Sequence, residues 1–129
     1  MYCLDTNIII AVFRGDKELS KKIAGVEQED VSFTIVTYCE LLKGAYIAQR
    51  REESLNLIKA FTASYRLLAL TPESCELFAK DSGTLRTAGT QTQDFDLLTA
   101  CIAKEHGRIL VTRNKKHFEN IPGLKVETW

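Results

Sequence analysis

Short apolar runs recur along this chain, and helix-patterned stretches separate each from the next. Val31 to Val36 and Arg108 to Thr112 are continuously apolar or β-branched at their centres rather than alternating. That is the pattern of strands covered on both faces. Tyr2 to Leu4 and Arg66 to Leu70 read as further strands, and Lys125 to Glu127 as a last one. Between them the spacing predicts helices running up to Phe13, from Lys17 to Gly25, from Tyr38 to about Gln49, from Glu52 to Ser64, from Pro72 to about Ala88, and from Asp94 to His106. Strands joined through helices need crossover connections, which make neighbouring strands parallel. The expected fold is therefore α/β, a parallel central sheet flanked by helices on both faces.

Local signals mark several boundaries. Thr71-Pro72 is a cap residue followed by proline at the first helical position. Gly107 stands where a helix C-terminus prefers a left-handed residue. Thr6 or Asn7 caps the first helix on this reading, and Thr37 starts the one after the second strand. With 129 residues the chain has room for one core and no repeat or linker divides it, so residues 1–129 are read as one domain.

Lysine plus arginine number 17, as do aspartate plus glutamate. A neutral sum argues against a general nucleic-acid coat protein, which carries a basic excess. The cysteines, Cys3, Cys39, Cys75 and Cys101, form no C-x-x-C and lie far from His106 and His117. A zinc cage is not expected, and free thiols buried among apolar neighbours in a reducing cytoplasm are. No export signal or membrane-length apolar run stands out. Nucleophile-elbow, zinc-protease, P-loop and dinucleotide fingerprints are all missing.

In open parallel sheets, ligands bind beyond the carboxyl ends of the strands. Asp5 closes the first strand, Glu40 follows the second by a turn of helix, Asp94 and Asp96 open the last helix, and Thr112 and Asn114 follow the strand Ile109 to Val111. Carboxylates gathered at one edge repel one another unless a hard divalent cation joins them. Each also has a plainer role open to it. Thr37-x-x-Glu40 fits a capping box. Asp94 and Asp96 could simply complement a helix dipole, and Asp5 and Asn114 fit cap and turn positions. Spacing alone does not choose.

Leu4-Asp5-Thr6-Asn7-Ile8 is followed by Thr34-x-x-Thr37-x-x-Glu40-Leu41-x-x-Gly44-Ala45 and then Asp94-Phe95-Asp96-Leu97-Leu98-Thr99-Ala100. Leu110-Val111-Thr112-Arg113-Asn114 and Phe118-Glu119-x-Ile121-Pro122-Gly123-Leu124 come next, ahead of Glu127-Thr128-Trp129. In these stretches, spread in order over the whole chain, it resembles the PIN-domain ribonucleases, specifically the VapC-type toxins of toxin–antitoxin pairs. The resemblance implies a Mg²⁺- or Mn²⁺-dependent endoribonuclease with Asp5, Glu40 and Asp96 as acidic ligands, leaving 5′-phosphate and 3′-hydroxyl ends. Asn114 stands where many members carry aspartate, so it is a catalytic candidate without charge, and Asp94 is a candidate metal ligand in compensation. Thr6 and Thr112 would orient ligands or phosphate.

RNA also needs cations. Arg113, Lys115 and Lys116 adjoin Asn114 and are the first candidates, with Lys43, Arg50, Arg51 and Arg86 behind them. His117 is read as a cap of its short turn, with phosphate contact as the alternative. The resemblance further implies a cytoplasmic homodimer, a small cognate antitoxin that blocks the acidic groove, and a structured substrate such as tRNA or rRNA. Tyr46, Ile47, Leu55, Leu57, Ile58 and Phe61 exceed what one buried helix face needs and are candidates for meeting such partners. The competing readings are a housekeeping RNA-processing nuclease of the same fold and a catalytically silent RNA- or protein-binding module.

Overall fold

The computed structural model describes residues 1–129 and shows a five-stranded, all-parallel sheet. In chain order the elements are β1 (Tyr2–Leu4), α1 (Thr6–Phe13), α2 (Lys17–Ala24), β2 (Val31–Thr34), α3 (Ile35–Ile47), α4 (Arg51–Ser64) and β3 (Arg66–Leu68). Then follow α5 (Pro72–Ala88), α6 (Asp94–Glu105), β4 (Ile109–Val111) and β5 (Val126–Glu127), with 3₁₀ turns at Gln28–Asp30 and Lys115–His117. The strand order is β3-β2-β1-β4-β5. Successive strands run outward from β1 to β3, and the chain then returns to lay β4 on the other side of β1. The order reverses between β1 and β4, where a doubly wound sheet opens its ligand crevice.

Side-chain alternation along the strands divides the core in two. Cys3 and Leu110, paired across β1 and β4, pack with Leu97, Ala100, Ile102 and Phe118 under α5 and α6. Leu4 and Val111, the next pair, face the other way and pack with Ile8, Ile9, Phe33, Leu41 and Phe61 under α1 to α4. Both layers are buried, which is why the strands read as continuously apolar. Between α5 and α6 a buried ion pair, Lys104 Nζ to Asp81 Oδ2 at 2.6 Å, adds a polar pin to the apolar contact. No helix is long and apolar enough to cross a membrane.

Three local expectations are corrected. Asp5, not Thr6 or Asn7, caps α1, its carboxylate accepting from the Thr6 amide at 2.8 Å. Helix α3 begins earlier than the Thr37 signal, because β2 stops pairing at Thr34, which caps the helix by accepting from the Thr37 amide at 3.1 Å. Finally, only Cys3 and Cys101 are buried, whereas Cys39 and Cys75 are exposed. Those two lie on helices, where chain neighbours point to different sides and apolar flanks do not imply burial. Thr71 with Pro72, and Gly107 at φ +62°, behave as their sequence signals require.

Candidate active site

Asp5 sits at the carboxyl end of β1, beside the end of β4, because its amide continues the β1–β4 ladder to the Val111 carbonyl at 2.9 Å. Its two carboxylate oxygens are held separately. Oδ1 accepts from the Thr6 amide as a helix cap, and Oδ2 accepts from the Thr112 hydroxyl at 2.8 Å. Thr112 is fully buried and gathers more of the loop after β4. Its Oγ1 accepts from the Asn114 amide at 3.0 Å and from Asn7 Nδ2 at 3.4 Å, and Asn7 Oδ1 in turn accepts from the Arg113 amide. Thus Thr112 fixes both Asp5 and the Asn114 backbone, while the Asn114 side chain stays exposed.

Glu40 enters from α3. With Thr34 as the cap, Glu40 is released from the capping box and accepts instead from Thr6 Oγ1 at 2.7 Å; Thr6 Oγ1 lies 3.2 Å from the buried Thr37 hydroxyl. Thr6 therefore bridges two candidate ligands, bonding Glu40 through its hydroxyl and Asp5 through its amide. Asp96 comes from the first turn of α6, and its Oδ2 lies 3.1 Å from His117 Nδ1. Asp94, two residues earlier, is exposed. Positions two apart on a helix do not share a face, so Asp94 and Asp96 point apart.

The electrostatics show which acids act on Asp5. Burial raises the Asp5 pKa above the ordinary aspartate value; hydrogen bonds from Thr112 and Thr6 oppose that, and the charges of Asp96 and Glu40 raise it further. Asp5, Glu40 and Asp96 thus form one negative cluster at the β1/β4 crevice. No three acidic, histidine or cysteine side chains are yet close enough to ligate an ion together. Glu40 leans on Thr6 and Asp96 on His117. The donor set itself, carboxylate oxygens delivered from three elements to one sheet edge, suits a hard divalent cation.

The basic candidates separate. The Arg113 guanidinium pairs with Asp16 at 2.6 Å, whereas Lys115 and Lys116 are exposed without an ion-pair partner, and Lys116 shares a pocket with Asp96. The two buried cysteines are held as thiols. Burial, with the Asp5 charge, pushes the Cys3 thiol up to about 12, and burial with Asp81 does the same for Cys101.

Residues 2–124 match the PIN domain. The chain is also 31% identical to ribonuclease VapC1 of Haemophilus influenzae strain R2866, across 100% of this chain and 98% of that protein. It belongs to the PIN-domain family, among the VapC ribonucleases. A tRNA(fMet)-specific endonuclease VapC of Shigella flexneri is 28% identical over 99% of this chain and 97% of its own. The VapBC-1 structure from nontypeable Haemophilus influenzae superposes with a TM-score of 0.89 at 30% identity, covering 99% of this chain and 97% of that one.

Within this PIN domain, two residues of the candidate site go unremarked as such in the sequence, and a third is weighed for it only as the alternative. Asn7 and Thr37 lie inside matched motifs but carry no charge to draw notice, although Thr37 is already one of the two threonines three apart before Glu40. His117 reads locally as a turn cap, yet its ring meets Asp96, a residue 21 positions earlier in the chain. Only the tertiary fold makes that pairing visible.

Proposed function

We propose that this PIN-domain protein is the toxin of a toxin–antitoxin pair, an endoribonuclease that hydrolyses RNA phosphodiester bonds with Mg²⁺ or Mn²⁺. The observation that carries the reading is the convergence of Asp5, Glu40 and Asp96 at the β1/β4 crevice, with Asp5 buried and electrostatically stressed by the other two. Those three would hold the cation, with the Asn114 amide oxygen as a further donor following β4, whereas Asp94, facing away from Asp96, is left out of the set. When bound, a divalent cation supplies a more acidic water and neutralises charge that builds on the scissile phosphate.

The chain's own residues prepare that site. Thr112 and the Thr6 amide hold the Asp5 oxygens in place, and the Thr6 hydroxyl fixes Glu40 one residue away from them. Lys115 and Lys116 offer the phosphate backbone positive charge beside an otherwise repulsive cluster. His117 sits against Asp96, where its ring also faces solvent and incoming substrate. No side-chain nucleophile is required.

Structured RNA is the proposed substrate, and the Shigella flexneri relative, a tRNA(fMet)-specific endonuclease, favours tRNA over a ribosomal RNA loop. A VapB-like antitoxin is the proposed inhibitor, in keeping with the VapBC complexes the fold matches. A homodimer in the cytoplasm completes the reading, supported by the exposed Tyr46 and Ile47 and by four unpaired cysteines that suit a reducing compartment.

Asp5→Ala and Asp96→Ala, assayed separately on total tRNA with added Mg²⁺ or Mn²⁺, should each lower cleavage at least about a thousandfold while circular dichroism stays native. Cleavage by the unaltered protein should stop with EDTA. Undiminished cleavage by either variant would overturn the assignment, and expression of the unaltered toxin without antitoxin should arrest growth.

A further inference from the structure

A pocket of about 250 Å³ opens beside Asp96 and is lined entirely by polar residues. Two chain segments form it: the Thr-Gln-Thr-Gln run at 90–93, between α5 and α6, and the stretch containing Lys116, His117 and Asn120 after β4. Asp96 is shared with the acidic cluster. The Thr92 hydroxyl donates to the His117 carbonyl at 3.4 Å and ties the two segments together. Apart from that bond and the His117–Asp96 contact, the pocket side chains carry no hydrogen bonds to the rest of the chain. The amides of Gln91, Gln93 and Asn120 therefore keep their donors and acceptors free for a ligand.

The chemistry of this lining selects its ligand. With no apolar wall, it does not suit a hydrophobic side chain or an aliphatic molecule. Asp96 and Lys116 put one charge of each sign on the lining, so the pocket favours a neutral group over an ion. A neutral ring with donors and acceptors around its edge, attached to a phosphate left outside, satisfies both conditions. Its volume lies below the usual range for drug-sized ligands, which fits one base rather than several. Amide side chains pair with base edges in just this donor–acceptor fashion, and an imidazole ring such as His117 can stack on a base face.

We propose that this pocket seats one unpaired base of the RNA, next to the scissile phosphate, and reads its edge through Gln91, Gln93 and Asn120. The proposal rests on the endoribonuclease reading and adds to it a specificity element. A base can enter only if it is unstacked, so the pocket directs cleavage to loops and bulges rather than paired stems.

Two measurements test it. Nitrogen-15-labelled protein is titrated with each of the four nucleoside 5′-monophosphates and with ribose 5-phosphate, following the side-chain amide signals of Gln91, Gln93 and Asn120. At least one nucleotide should shift those signals where ribose 5-phosphate does not. Equal shifts with all five compounds, or none, would overturn the proposal. In the second arm, RNA hairpins carry each base in turn beside the cleavage position. The ratio of cleavage between the best and worst base should fall about fivefold to a hundredfold in Gln91→Ala, Gln93→Ala or Asn120→Ala, the range expected for one base contact. These side chains make no hydrogen bonds within the fold and none belongs to the buried core, so the variants should fold. An unchanged ratio in all three also overturns the proposal. If the unaltered protein cleaves neither the hairpins nor total tRNA, the nuclease reading itself falls, and the nucleotide titration still decides whether the pocket binds a base.

Discussion

Burial raises the pKa of Asp5, its donors on Thr112 and Thr6 hold the ionised form, and the charges of Asp96 and Glu40 work against it. In the metal-free protein, ionising this carboxylate therefore costs more in the folded chain than in the unfolded one, a source of instability kept for function. Asparagine has nearly the same shape. Its oxygen can accept from the Thr6 amide, and its NH₂ can take the place of the long 3.4 Å Asn7 bond on the Thr112 hydroxyl oxygen, which accepts two at most. Asp5→Asn should consequently be inactive on RNA yet melt a few degrees higher than the unaltered protein in EDTA. Adding Mn²⁺ should reverse the order. A cation at a hundred times its dissociation constant stabilises a protein that holds it by about 2.7 kcal/mol, and Asp5→Asn should gain little of this. Thermal melts of both proteins with EDTA and with Mn²⁺ give the four values needed. A variant that melts lower than the unaltered protein in EDTA would show that Asp5 is instead a net stabilising cap.

The helices that deliver these side chains are positioned by contacts at their ends. Glu105, the last residue of α6, accepts from the Thr71 hydroxyl at 2.6 Å and from the Ser74 hydroxyl, both in the N-terminal cap of α5. Those bonds, Ser74's foremost and then Thr71's, lower the Glu105 pKa below the ordinary glutamate value. A carboxylate depressed on folding contributes stability above its unfolded pKa, about 4.3. That contribution is lost as pH falls through the lower folded value. Glu105→Gln should thus cost on the order of 1 kcal/mol at pH 7, and the difference from the unaltered protein should shrink in urea melts below about pH 4. A pH-independent difference would mean that the charge of Glu105 is immaterial. The start of α5 is legible in the sequence because Thr71-Pro72 is unambiguous locally. The start of α3 is not. Thr34 and Thr37 both precede a plausible partner by three residues, and the choice falls to the sheet, since Thr34 pairs with Leu68 and Ile35 pairs with nothing. Moving the cap from Thr37 to Thr34 turns Glu40 from a cap partner into a member of the site. A motif can therefore point to Glu40, whereas spacing alone leaves its role open.

Across the whole molecule, the zero net charge resolves into an acidic crevice and exposed lysines beside it, while the apolar surplus resolves into two clefts. The parallel sheet and its helical layers are legible because they depend on patterns that repeat over many residues. The division of the α3–α4 apolar residues between core and partner is not, because spacing does not say which face another element covers. The fold buries Ile58 and Phe61 and leaves Tyr46, Ile47 and Leu57 exposed. Leu57 lines both clefts. One, of about 330 Å³, lies against Val12, Ile23 and Tyr65, and the other, of about 360 Å³, against Ile10, Leu41 and Ala45. Phe13 is common to both, so they form adjoining halves of one apolar track along α1 and α4. An amphipathic segment laid along such a track presents apolar anchors at helical spacing, which is what the proposed antitoxin has to supply. Leu57→Glu places a charge where the two clefts meet, on a side chain exposed enough to leave the core intact. Its affinity for the antitoxin should drop at least about tenfold, as expected for an anchor residue, and RNA cleavage by the variant should persist at antitoxin concentrations that silence the unaltered toxin. Calorimetric titration gives the affinity and a cleavage assay the escape. If inhibition is unchanged, the antitoxin engages another face, and the exposed Tyr46 and Ile47 at the end of α3 become the next residues to alter.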